Sequence, residues 1–291
     1  MRLHHLNCGT MCPFGGRLMT GPARGPGPAR LVCHCLLIET DQHGLVLVDT
    51  GLGLQDVRAP TPRLSRFFLA MMRLPLKEDE TALRQIERLG FGAGDVRHIV
   101  LTHLDFDHAG GIEDFPGATV HVMGAEARAA EERRGMIARG RYRPRQWDGV
   151  SHWERYESRG EPWFGFACVR DLKGLPPEVL FIPLIGHTWG HAGIAVELPD
   201  GWLLHAGDAY FHEREMHIAD PGCPPGLRAY QTMMEVDRKA RLGNRERLRE
   251  LARAQGDAMR IVCAHDAAEF ARCSASSAAS MPDRAAALHV R

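Results

Sequence analysis

The sequence carries no excess of either charge: 36 Lys and Arg stand against 36 Asp and Glu. That balance argues against a polyanion as the partner of the whole surface, so nucleic acid is not the expected ligand. Among the eight cysteines there is no C-x-x-C pair, which excludes a zinc knuckle or a thioredoxin-like redox pair. Cys8, Cys12, Cys33, Cys35, Cys168, Cys223, Cys263 and Cys273 are too scattered for a disulfide framework in a chain of this size, and free thiols in a reducing compartment are expected. No apolar run approaches the roughly 20 residues of a membrane helix. The opening residues, MRLHHLNCGT, lack the apolar core of a secretory signal. A cytoplasmic location without a membrane partner is the expectation. What the chain does have is 291 residues, 44% of them hydrophobic, enough to fill one large core.

Two segments share a plan. LLIETDQHGLVLVDTG (36–51) and IAVELPDGWLLHAGDA (194–209) each place two apolar runs around a polar turn with Gly44 or Gly201. Both read as β-hairpins ending in a small-residue loop that carries an aspartate, Asp49 or Asp208. Further strands are expected at 96–102, 118–123, 179–184 and 259–264. TALRQIERLG (81–90) has helical spacing and stops at Gly90; NRERLRELARAQG (244–256) does the same, with Asn244 as N-cap. Strands and helices interleave, so the class is α/β. One domain is expected over 1–270, with lid-like insertions at about 54–80 and 125–177. Residues 271–291 are expected to form a mobile tail.

The chemistry concentrates in THLDFDHAGG (102–111), where His103, Asp105, Asp107 and His108 fall within six positions. A helix cap would need only one of them, Asp107. Imidazole nitrogens and carboxylate oxygens on one loop can instead close around a divalent ion. His103 and Asp105 alternate and share a side, while Asp107 and His108 can face a second ion.

This motif resembles that of the metallo-β-lactamase superfamily, usually H-x-H-x-D-H, in its lactonase- and glyoxalase II-like branch. The resemblance extends through VDTG (48–51), GHTWGHAG (186–193), AGDA (206–209) and CAHD (263–266), in the family's order across about 30–266. It implies an αββα four-layer sandwich with a dinuclear site. His103, Asp105 and His187 would hold the first ion; Asp107, His108 and His265 the second; Asp208 would bridge. A hydroxide between the ions would attack, with Asp107 and Asp208 counted in the catalytic set and Asp208 managing the proton. Two divalent ions are implied, zinc before manganese or iron. The departure is Asp105, where the family has His. One more carboxylate would bring the protein and hydroxide charge level with that of two divalent ions. Weaker Lewis acidity and more tolerance of manganese or iron are then expected.

Tyr210 follows Asp208 by two residues and is a candidate donor to a developing oxyanion. Asp49 is expected to orient a metal histidine, and His191 to support the site from behind. Six arginines in 133–145 read first as a solvated face; a polyanion-binding patch with the nearby aromatics, or a lid arginine for an anionic substrate, are the other uses. The aromatics at 147–166 point to a partly apolar small molecule, and a homodimer is compatible. The expected function is metal-dependent hydrolysis of an ester or lactone. A phosphodiesterase or nuclease is the alternative within hydrolases, and an iron-dependent oxidoreductase is the alternative outside them.

Overall fold

The computed structural model describes residues 1–21, 27–167 and 172–279. Cys168, part of the glycine- and proline-rich loop at 20–30, and residues 280–291 of the expected tail lie outside them. Both expected hairpins form. β2 (Leu31–Glu39) pairs antiparallel with β3 (Leu45–Val48), and β8 (Ala192–Leu198) pairs antiparallel with β9 (Gly201–His205). The first belongs to a six-stranded sheet, ordered β1 (Arg2–Met11), β2, β3, β4 (Val96–Val100), β5 (Thr119–Met123) and β6 (Trp153–Tyr156). The second belongs to a four-stranded sheet ordered β10 (Met259–Val262), β9, β8 and β7 (Val179–Pro183).

Side-chain alternation sets the layers. Leu36, Ile38, Val46 and Val48 face Phe181, Ile194, Val196 and Leu203 of the other sheet and form the middle of the molecule. Their neighbours Leu37 and Leu47 point to the opposite face and bury Ile86 of the helix Ala82–Arg88. On the far side of the second sheet, Leu180, Ala195 and Leu204 cover Leu248 and Leu251 of the helix Arg238–Gln255. Strands with both faces buried read as continuous apolar runs, and two such sheets between helices make the α/β four-layer arrangement. Among the described residues no helix is long and apolar enough to cross a membrane, and seven cysteines are free thiols.

Three expectations need correction. The helix expected from Asn244 starts at Arg238, capped by Asp237, whose carboxylate accepts from Ala240 N at 2.9 Å. Asn244 instead donates to Ile185 O at 2.8 Å. Residues 271–279, expected in a mobile tail, continue the helix Ala267–Ala279. Phe270 packs edge-on against His34, 5.2 Å between ring centroids, and Cys273 meets the inter-sheet core. The aromatics of 147–166 are distributed elsewhere. Trp163 and Phe166 pack on the outer face of the second sheet, and Trp147 and Trp153 pack outside the first. Tyr156 stacks on His121.

Candidate metal centre

Most of the residues that the motifs single out sit where a strand ends. Asp49 follows β3, His103 follows β4, Asp208 follows β9 and His265 follows β10, while His187 lies between β7 and β8. Asp107 and His108 lie on the single helical turn Phe106–Ala109, which starts directly after Asp105. Crossover topology brings these strand ends to one edge of both sheets, and all seven expected ligands are buried there.

Asp208 occupies the middle. Its Oδ2 lies 3.7 Å from His103 Nε2 and 3.3 Å from His187 Nε2. Its Oδ1 lies 3.4 Å from His108 Nε2 and 3.1 Å from His265 Nε2. One carboxylate therefore faces two sets of nitrogens with its two oxygens. Asp105 Oδ2 completes the first set, 3.5 Å from His103 Nε2 and 3.1 Å from His187 Nε2. Asp107 Oδ2 completes the second, 3.7 Å from His265 Nε2. The nitrogens His103 Nε2 and His108 Nε2 and the oxygen Asp208 Oδ1 are buried without a hydrogen-bond partner. Buried polar atoms are ordinarily satisfied, so an unpaired convergent set of imidazole and carboxylate donors fits divalent cations. Among the described residues, His103–Asp105–His187 and Asp107–His108–His265 each form a group able to share one ion.

The surroundings fix which nitrogen is free. His108 Nδ1 contacts Asp49 Oδ2 at 2.8 Å, and His265 Nδ1 contacts Val32 O at 2.8 Å. Each Nδ1 is thus the donor, and each Nε2 keeps a lone pair for the site. Asp49 holds a left-handed backbone, φ 54°, in which its carboxylate also accepts from Thr102 N at 2.8 Å and Thr102 Oγ1 at 2.7 Å. It serves the orienting role expected of it. Asp49→Asn is therefore expected to lower metal affinity or turnover about 10- to 100-fold, read by chelator competition; unchanged affinity and rate would remove Asp49 from the account. His191 is not a ligand. Its Nδ1 donates to Leu184 O at 2.9 Å and its Nε2 accepts from Asp208 N at 2.8 Å, which seats Asp208.

The charges are mutually stabilised. Burial pushes the Asp208 carboxyl up, but His265, His108 and His187 outweigh it and hold the group well below the usual carboxylate range. Asp105 is likewise well below it: burial opposes ionisation, and Arg141 and then His103 prevail. Asp107 goes the other way, raised by burial and by Asp208 and Asp105. Burial and Arg141 bring His187 down to about 4.

Tyr210 is not at the site. It is fully buried in the outer core of the second sheet, and its hydroxyl donates to Glu269 at 3.0 Å. Two residues past Asp208, the chain has already turned away from the ligands. Burial pushes Glu269 up to about 7, helped by Asp266 and opposed by Cys263 and Tyr210. The native state thus holds this proton more tightly than the unfolded chain. The associated stability is full below the ordinary glutamate value and is lost as pH rises through about 7. Glu269→Gln should flatten the fall in unfolding free energy between about pH 4.5 and 7, by up to about 1.4 kcal/mol per pH unit; equal slopes in the two proteins would contradict this.

Three residues at the site carry no motif. Arg141, buried at the end of the helix Gly135–Arg141, places Nε 2.9 Å from Asp105 Oδ1. Its positive charge offsets the carboxylate that Asp105 adds to the ligand set. Glu126, also buried, accepts from Leu104 N and Gly190 N, both at 3.0 Å, and ties the His103 loop to the His187 loop. Gly190 permits this approach, since a Cβ there would lie 2.1 Å from Glu126 N. Tyr230, on the helix Pro225–Met234, packs edge-on to Phe211 with 6.0 Å between centroids. Its phenol is held well above the ordinary value by burial and by Asp107, Asp105 and Asp208, so it stays protonated.

The wall beside the ligands is apolar. Phe211 lies 4.9 Å from the His265 ring and 5.9 Å from the His187 ring. It belongs to a cluster with Phe106, Phe68, Leu64, Met72 and Leu227. The 54–80 insertion supplies three of these, Leu64, Phe68 and Met72.

The family model of the metallo-beta-lactamase superfamily matches residues 28–254. A probable metallo-hydrolase of Mycobacterium tuberculosis is 43% identical over 266 residues, 91% of this chain and 80% of the relative. The N-acyl homoserine lactonase AiiA of Bacillus thuringiensis subsp. kurstaki is 31% identical over 70% of this chain and 76% of its own length. Among solved structures, an N-acyl homoserine lactone hydrolase with N-hexanoyl-L-homoserine at its catalytic metal center superposes with TM-score 0.68. It is 22% identical, and 94% of this chain and 96% of that one are covered. At that identity the likeness speaks for the fold.

Proposed function

The chain belongs to the metallo-beta-lactamase superfamily as a metal-dependent hydrolase, and from that premise we propose that it opens an ester or lactone at a dinuclear centre. The observation that carries the reading is the division of Asp208, one oxygen toward His103 and His187 and the other toward His108 and His265. His103, Asp105 and His187 would hold one divalent ion, Asp107, His108 and His265 the other. Such ions supply a nucleophilic water at neutral pH and polarise the carbonyl under attack.

The chain does the rest. His108 and His265 are held in one tautomer by Asp49 and Val32 O. Phe211, Phe106 and Phe68 exclude water from one side and suit the apolar part of an acyl substrate. Tyr230 keeps its proton and would take the role first considered for Tyr210, donating to an oxyanion. The arginine run gives the phosphodiesterase reading little support, because Arg141 is committed to Asp105 and Arg143 to Arg63 O and Pro62 O. The substrate class follows from the apolar wall and from the lactonases among the relatives.

Initial rates on N-acyl homoserine lactones, aryl esters and an aryl phosphodiester test this directly. The metal-loaded protein should favour the acyl substrates and lose the activity to a chelator. A preference for the phosphodiester would overturn it. Tyr230→Phe should lower kcat on the preferred lactone about 100-fold with KM nearly unchanged; an unaltered kcat would take Tyr230 out of the mechanism.

A further inference from the structure

Arg141 touches only one half of the centre. Its Nε lies 2.9 Å from Asp105 Oδ1 and 3.2 Å from Asp105 Oδ2. Its Nη2 lies 2.9 Å from His187 Nε2, and its Nη1 donates to His187 O at 3.1 Å. A guanidinium has donors and no acceptor, so it is the lone pair of His187 Nε2 that meets Nη2. That lone pair is the one an ion between His103, Asp105 and His187 would need. His187 Nε2 also lies 3.1 Å from Asp105 Oδ2. Arg141 is the cation beside both acceptors.

The contact is built into the fold. Tyr142, the next residue, forms an isolated antiparallel bridge with Asp105, which sets the backbone of Arg141 opposite the ligand loop. The side chain is 1% exposed. The other half, Asp107, His108 and His265, has no cationic partner of this kind among the hydrogen bonds and ion pairs of the described residues.

We infer that Arg141 is an internal cation that competes with the first metal ion for Asp105 and His187, so the two half-sites fill unequally. The Asp107–His108–His265 half binds first and tightly. The other half binds its ion only as Arg141 leaves His187, and then with a fixed positive charge close by. This gives Asp105 a reason to be a carboxylate: a histidine there would leave a buried guanidinium without its counter-charge. The inference rests on the metal-centre reading proposed above.

The test is a titration of chelator-stripped, full-length protein with cobalt(II), followed by visible absorption and by competition with a chromophoric chelator. Wild type should bind one equivalent tightly and a second at least about tenfold more weakly. Arg141→Met should bring the second equivalent to within a few-fold of the first. Arg141→Lys keeps the charge without the fork that spans Asp105 and His187, and should fall between the two. Two equal equivalents in wild type would overturn the inference without any variant, whether or not Arg141→Met folds. So would a second equivalent that weakens in Arg141→Met, because Arg141 would then be a residue that orients Asp105 for metal. No binding in any of the proteins would instead remove the metal-centre reading itself. Thermal melts of each variant separate lost structure from lost sites.

Discussion

Asp208→Asn is expected to lower kcat/KM on the preferred lactone or ester by about a thousandfold or more, the scale of several kcal/mol of lost charge stabilisation. The carboxylate offers one oxygen to each set of imidazoles, at 3.3 and 3.7 Å on one side and 3.1 and 3.4 Å on the other. An amide keeps one acceptor oxygen and presents an NH2 group to the other pair. Its charge is gone, while the four histidines still converge. The ions should therefore be bound less tightly and placed less well relative to each other. Metal content measured beside kcat/KM separates the two effects. Activity within tenfold of wild type at full metal content would mean that Asp208 does not link the half-sites.

The second large effect is on folding. Asp105→His restores the residue usual in the family, and a reading of the motif alone would make it harmless. The structure argues otherwise. Asp105 is 3% exposed and Arg141 2%, and their ion pair at 2.9 Å is closed off from solvent. Removing one partner of a buried pair typically costs about 3–5 kcal/mol, because the other charge stays buried and uncompensated. Asp105→His should show that loss in urea unfolding of the stripped protein, and adding Arg141→Met should recover most of it. Non-additivity of this kind is what contact between the two side chains predicts. A single variant as stable as wild type would contradict the pairing.

The same pair marks the boundary of what was legible in the sequence. The candidate ligands were legible because each lies in a short run near a strand end: THLDFDHAGG, GHTWGHAG, AGDA and CAHD carry their own chemistry. The hairpins were legible because apolar runs flank a glycine turn. Arg141 was hidden in a run of six arginines, of which nothing in the pattern singles out the one that turns inward. Tyr230 comes from a helix 22 residues past Asp208 in the chain, and only the packing of that helix beside Phe211 brings it near the carboxylates. Tyr210 misled because closeness in sequence to a ligand says little about direction once the chain has turned. β1 escaped notice because two of its positions are histidines, one of which, His4, is buried and bonded to Glu39 at 2.6 Å. Polar residues with a dedicated partner break the alternation by which strands are read.

The most direct measurement is hydrolysis of an N-acyl homoserine lactone in 18O-labelled water, with metal-loaded protein beside chelator-stripped protein. Water attack at the carbonyl predicts one labelled oxygen in the ring-opened carboxylate, formed only by the loaded protein. Ring opening without label, opening by the stripped protein at the same rate, or no opening of any lactone or ester by fully loaded protein would contradict the account.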